Sequence, residues 1–181
     1  MIAAIYVEAD GPYVGLEGID AWSADRDART YKGPHPVIAH PPCKRWGRYW
    51  QGSPSDTKRF LKGDDDGCFA HALWAVRTFG GVLEHPAGSA AWDWFGLQPP
   101  PRLGWGWGQA DRFGGRSVTV CQGSYGHLGQ KETWLYAVLP HFPKMDWTYP
   151  TDCKPVEHLS HKQRLLTPLP FRDALIDMVK A

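Results

Sequence analysis

Apolar positions along the chain follow two different spacings. Phe69, Ala72, Leu73, Val76 and Phe79 recur three and four residues apart, which places one apolar stripe on a helix. Acidic residues from Asp65 open that segment and Gly80-Gly81 closes it, as start and stop signals do. A second amphipathic stripe, Phe171, Leu175, Ile176 and Val179, predicts a C-terminal helix, with Thr167 as its cap and Pro168 in its first turn. Elsewhere the apolar runs are short. Residues 3–7, 19–22, 36–40, 82–84, 118–121 and 133–138 have the length and β-branched or aromatic content of strands. Gly11-Pro12 marks a turn, and residues 25–31 a short helical stretch.

The order of these elements predicts an α/β fold. Strand 36–40 ends at Pro41-Pro42, the helix follows, and strand 82–84 ends at His85-Pro86. This is a crossover unit with parallel strands. Cys43 and Glu84 then lie beyond the carboxyl ends of neighbouring strands, the rim where open α/β sheets bind ligands. Residues 118–121 and 133–138 read as an antiparallel hairpin joined through Gly123, Gly126 and Gly129. Residues 89–115, rich in Trp, Gly and Pro, have no periodicity and read as a long loop covering the site.

A length of 181 residues suits one domain, 1–181. Lys plus Arg number 20 against 19 acidic residues, so any contact with nucleic acid has to come from a local patch rather than the net charge of +1. No apolar run approaches the roughly 20 residues of a membrane-spanning helix, and the N-terminus lacks a signal-peptide layout. A cytoplasmic protein with no membrane partner is expected. Cys43, Cys68, Cys121 and Cys153 are widely separated, which suits free thiols better than a disulfide framework. The 10 tryptophans include Trp92, Trp94, Trp105 and Trp107 on Gly-rich backbone, a surface on which planar groups can stack.

Candidate chemistry centres on Cys43. Pro41 and Pro42 stiffen the backbone that carries the thiol, and Lys44, Arg45 and Arg48 supply positive charge that favours a thiolate. Glu84, between an apolar strand and His85-Pro86, is placed to stay protonated and donate to a ring nitrogen or carbonyl, or else to pair with an arginine. His127 and Lys131 at the hairpin turn suit phosphate. His40, Cys43, Cys68, His71, His85 and Cys121 are metal-capable but lack paired metal-ligand spacing, so no metal is expected. The stretch from Lys44 to Lys62 interleaves Arg45, Arg48, Lys58 and Arg59 with Trp46, Tyr49, Trp50 and Phe60, a nucleic-acid-binding pattern.

Three segments carry a family resemblance. Pro41-Pro42-Cys43, then Leu83-Glu84-His85-Pro86, then Tyr125-Gly126-His127-Leu128-Gly129-Gln130-Lys131-Glu132-Thr133-Trp134-Leu135 resemble successive motifs of the cytosine-C5 DNA methyltransferase superfamily, and more closely its short, divergent phage-encoded relatives. The tail from Leu159 to Pro168 is similar to the closing segment of such phage proteins. The resemblance implies a Rossmann-like, methyltransferase-type sheet, mostly parallel with a C-terminal antiparallel hairpin and a reduced N-terminal donor region. It further implies Cys43 as the nucleophile on C6 of a pyrimidine and Glu84 as the partner of its ring nitrogen. His40, Pro42, Arg45, His85, Trp92, Trp94, His127 and Lys131 are then expected around the substrate, a flipped DNA base or a pyrimidine nucleotide. The compartment would be the cytoplasm of a bacterial host.

The chain departs from that family at its start. The Phe-x-Gly-x-Gly loop that receives S-adenosylmethionine is absent, leaving Gly11, Gly15, Asp20 and Asp27 as the candidates for donor binding. Only about twenty residues separate the hairpin from the closing segment, too few for an inserted target-recognition domain, and a Gln-x-Arg-x-Arg motif has no counterpart. The sequence therefore predicts methylation or a related one-carbon transfer onto a pyrimidine. A non-catalytic descendant that binds nucleic acid or a host protein is the alternative, and a base-releasing glycosylase or transferase a third reading.

Overall fold

A computed structural model describes residues 1–52 and 55–181. Six strands form one sheet: β1 (Ile2–Ile5), β2 (Ile19–Trp22), β3 (Val37–Ala39), β4 (Gly81–Pro86), β5 (Arg116–Cys121) and β6 (Glu132–Val138). Their order is β2-β1-β3-β4-β6-β5. The first four pair in parallel; β6 opposes both β4 and β5, so β6 alone is reversed. The fold is thus α/β with a mixed, mostly parallel sheet. The hairpin is present, and it is its second strand that joins the parallel half.

Successive strand residues point to opposite faces, and that alternation builds two apolar layers. Ala3, Ile5, Val37, Ala39 and Leu83 face α1 (Cys68–Phe79), which contributes Phe69, Ala72, Leu73 and Val76. Ile2, Ala4, Ile38 and Val82 face α4 (Leu169–Lys180), which contributes Phe171, Leu175, Ile176 and Met178. The helix expected from Asp65 starts at Cys68. Asp65 instead stands before it, where its carboxylate accepts from the Phe69 and Gly67 amides and from Trp46 Nε1. Thr167 does not cap α4, because the capping position falls on Pro168, which has no side-chain acceptor to offer. Residues 89–115 are not wholly a loop. They hold the short helix α2 (Ala90–Trp94), capped by Ser89, whose hydroxyl accepts from the Ala91 amide. Five residues are too few for a periodic signal. The remaining short helix, α3 (His161–Leu165), begins at Ser160 with a reciprocal capping box to Gln163.

The carboxyl ends of β1, β3 and β4 lie along one rim. β3 pairs with β4 only as far as Ala39 opposite Leu83, whereas β6 continues to pair through Pro86. Glu84 therefore keeps its ladder to β6 while its other flank opens where the chain turns away through His40 and Pro41.

Candidate active site

A cleft of about 1120 Å³ opens on that rim. It is lined by Tyr6, Glu8, Asp10 and Gly11 from the segment after β1, and by His40, Pro42, Cys43 and Lys44 after β3. Glu84 and His85 on β4 complete its floor. Its far wall is the β5–β6 connection at Gln130, Lys131 and Glu132, together with Tyr149 and the closing segment at His161, Arg164 and Thr167. Cys43 and Glu84, separate in sequence, thus share one cavity.

A chain of hydrogen bonds runs behind Glu84. His40 Nδ1 lies 3.0 Å from Glu84 Oε2, and His40 Nε2 lies 3.0 Å from the hydroxyl of Tyr13. Gln122 Nε2 donates to Glu84 Oε1 at 3.0 Å and to Thr133 Oγ1 at 3.0 Å. The Thr133 hydroxyl in turn donates to the Lys131 carbonyl. Tyr13 is 2% exposed, and burial raises its phenol well above the ordinary value, so the phenol keeps its proton. Donation from Tyr13 to Nε2 leaves the proton of Nδ1 facing Glu84.

Electrostatics reverse two of the expectations drawn from sequence. Burial pushes the Glu84 carboxyl upward, but the His40 hydrogen bond and charge, with Lys131 beyond, outweigh it and hold the group below its ordinary value. Glu84 is ionised, not protonated. Burial raises the Cys43 thiol, the Glu84 charge raises it further, and Lys131 lowers it only in part. Lys44, Arg45 and Arg48 are not among the charges acting on it, so the resting group is a thiol.

Arg45 turns away from the cleft. It is buried, donates to the Trp50 carbonyl at 3.0 Å and stacks over Phe60. His85 lines the floor, but its Nδ1 bonds the Ser89 hydroxyl at 2.7 Å. Its buried Nε2 closes no hydrogen bond among the described residues, although the Pro42 backbone acts on the ring electrostatically. His85 thus anchors the end of β4 to the cap of α2. Trp92 is a core residue, with Nε1 donating to Ser117, and it packs on Phe69 and Trp134. Trp94, against Trp46, and Trp105 are exposed, Trp107 is half-buried against Phe142, and all three lie outside the cleft wall. The Trp-Gly segment does not cover the site. His127 is buried, with Nδ1 beside Gly129 and Nε2 bonded to the Gln163 carbonyl, so it staples the hairpin turn to the closing segment. Lys131 does face the cleft, and its ammonium donates to the Leu166 carbonyl. Tyr13, Gln122 and Tyr149 carried no local sequence signal, whereas Arg164 belongs to the closing segment from Leu159 to Pro168.

The residues expected to hold S-adenosylmethionine do not assemble around the cleft. Gly11 lines it; Gly15 does not. Asp20 is occupied by Arg26 and by Trp22 Nε1, and Asp27 pairs with Arg29 at 2.8 Å, both away from the cavity. Among the described residues no cluster of three or more His, Cys, Asp or Glu is arranged to hold a metal ion, and no helix is long and apolar enough to cross a membrane. Comparison of the chain with protein-family models, with curated proteins and with solved structures finds no match in any of the three.

Proposed function

We propose that the protein modifies a pyrimidine base in DNA at ring position C5, through covalent addition of Cys43 to C6. The observation that carries this reading is the convergence of Cys43 and Glu84, from two successive parallel strands, on one cleft large enough for a nucleotide. The strand order, with β6 reversed between β4 and β5, supports a Rossmann-like methyltransferase-type sheet. The Cys43 thiol first gives its proton to water in the cleft; the sulfur then bonds C6, the π electrons of the C5–C6 bond move toward the ring carbonyl or amino position, and C5 becomes nucleophilic. Glu84 holds the ring edge through its nitrogen, and Lys131 balances charge as the thiolate forms. The donor candidates do not gather at this cleft, so no step is routed through S-adenosylmethionine. A methyl or related one-carbon group is what the motif resemblance implies for C5.

Addition to C6 alone makes the C5 hydrogen exchangeable. The adduct takes a proton from water at C5, loses the original one, and expels the thiolate. Oligonucleotides incubated in D2O with the protein should gain deuterium at pyrimidine C5, and Cys43→Ala should reduce this at least 100-fold. Nucleoside mass spectrometry on DNA from cells expressing each form should show a new pyrimidine mass with the wild type only. Exchange that persists in Cys43→Ala, or unmodified DNA together with no exchange, would remove the mechanism. The elevated thiol of Cys43 favours a second reading, a protein that binds nucleic acid without cysteine chemistry. Salt-sensitive binding with no exchange would select it.

A further inference from the structure

If Cys43 and Glu84 act on a base as proposed above, the chain of partners behind Glu84 decides which pyrimidine fits. The two common pyrimidine edges differ at N3: cytosine presents a bare acceptor there, whereas a uracil-type ring presents an N–H donor. A group that faces N3 must therefore donate to the one and accept from the other.

Glu84 is surrounded by donors. His40 Nδ1 addresses Oε2 and Gln122 Nε2 addresses Oε1, one on each carboxylate oxygen. The direction of the first bond is fixed from behind. His40 Nε2 is the hydrogen-bond acceptor available to the buried Tyr13 hydroxyl among the bonds of the described residues, so the ring proton sits on Nδ1. Were the imidazole doubly protonated, Nδ1 would donate all the same. The direction of the second is fixed by Thr133, whose hydroxyl donates to the Lys131 carbonyl and so accepts from the Gln122 amide nitrogen. Two converging N–H donors stabilise the anion. Each oxygen retains a second lone pair, and the side chain is 13% exposed toward the cleft.

We propose that this site is built for a pyrimidine carrying N3–H, a uracil-type ring with C5 unsubstituted, and discriminates against cytosine. Glu84 is an acceptor held in place by His40 and Gln122. Cytosine would set its N3 lone pair against the carboxylate, with only the exocyclic amino group left to donate. Tyr13 and His40 are positioning residues for this preference, and through Tyr13 the loop after β1 is coupled to the identity of the base.

The test separates recognition from chemistry by measuring binding in the Cys43→Ala full chain, where no adduct forms. Deoxyuridine and deoxycytidine monophosphates, and single-stranded oligonucleotides with one dU or one dC, are titrated by calorimetry at pH 8. The uracil form should bind at least 10-fold more tightly, and the ratio should fall to about 2-fold or less on adding Glu84→Gln, whose amide offers both a donor and an acceptor. Tyr13→Phe should narrow the ratio without abolishing binding, which a purely structural role would not do. Parity, or a preference for cytosine with Glu84 intact, overturns the inference and leaves the Cys43 reading in place. C5 exchange in the wild type reports on that reading independently. Exchange from neither base overturns both.

Discussion

Burial acts on Cys43 and His85 in the same physical sense, against the charged form, and so displaces their pKa values in opposite directions. His85, 1% exposed, is pushed down from 6.5 to about 4, with Glu84 countering only part of the burial. In the unfolded chain the ring takes its proton below its ordinary value, whereas the folded protein resists until about pH 4. The unfolded state binds more protons across that window, so stability is full above pH 6.5 and falls with pH down to about 4, by about 3 kcal/mol in total. Glu84 has the same sign but acts later, because its depressed carboxyl loses stability only as pH drops through the carboxylate range and below. Urea unfolding between pH 7 and pH 5 should therefore report on His85 together with His127, whose imidazole burial also pushes down, and His85→Gln should flatten part of that stretch of the profile. Parallel profiles for the wild type and the variant would mean that His85 is not held neutral in the folded state.

At the scale of elements, the join between α1 and β4 depends on one glycine. Gly81 sits at φ +116°, and a Cβ there would lie 1.9 Å from the Val37 carbonyl oxygen and 2.6 Å from the Val37 amide nitrogen, backbone that cannot give way. Those atoms belong to the first residue of β3, so Gly81→Ala would force apart the two strands that carry Cys43 and Glu84. Gly80, at φ +77°, meets only the Val138 carbonyl at 3.4 Å and bears conformational strain alone. Gly81→Ala should cost more than 3 kcal/mol, and Gly80→Ala about 1 kcal/mol, read as shifts of the urea midpoint. Equal costs would show that strand separation is not what Gly81 prevents. The sequence displayed Gly80-Gly81 as a helix stop but not this contact, since the partner lies more than forty residues away. The same limit runs through the site. Strands, crossover and hairpin were legible because each is local and periodic, and the rim shared by Cys43 and Glu84 follows from them. Tyr13 and Gln122 were invisible because a loop and a strand end deliver them to Glu84 from distant segments. Trp92 and Arg45 misled because residue type alone does not reveal that a tryptophan in a five-residue helix, or an arginine after a reactive cysteine, points inward.

For the whole molecule, a formal charge of +1 conceals an uneven distribution. Beyond Cys43 the chain exposes Lys44, Arg48, Lys58, Arg59 and Lys62 in one segment, and Tyr49 is 76% exposed beside them. Several of these cations lie over rings, Lys62 over Trp50 and Lys58 over Phe60, so charge and stacking surface are presented together. Lys44 also lines the cleft, which makes the segment continuous with the site. At the far wall Lys131 and Arg164 add positive charge beside Glu132, while Glu8 and Asp10 make the end after β1 acidic. A polyanion following the basic side would enter from the 44–62 segment, pass Cys43 and leave by Arg164, with its base directed at Glu84. Each phosphate contact releases a counterion, so the logarithm of the binding constant should fall linearly with the logarithm of salt concentration. Replacing Lys58 and Arg59 with glutamine should lower that slope by roughly 0.7 to 0.9 for each cation lost and weaken binding to all sequences alike. Cys43→Ala should leave the slope unchanged, because the thiol takes no part in charge neutralisation. Fluorescence anisotropy on single-stranded and duplex oligonucleotides across a salt series measures both quantities. A slope unaltered by the double replacement would place the polymer elsewhere on the surface and turn the cleft toward free nucleotides.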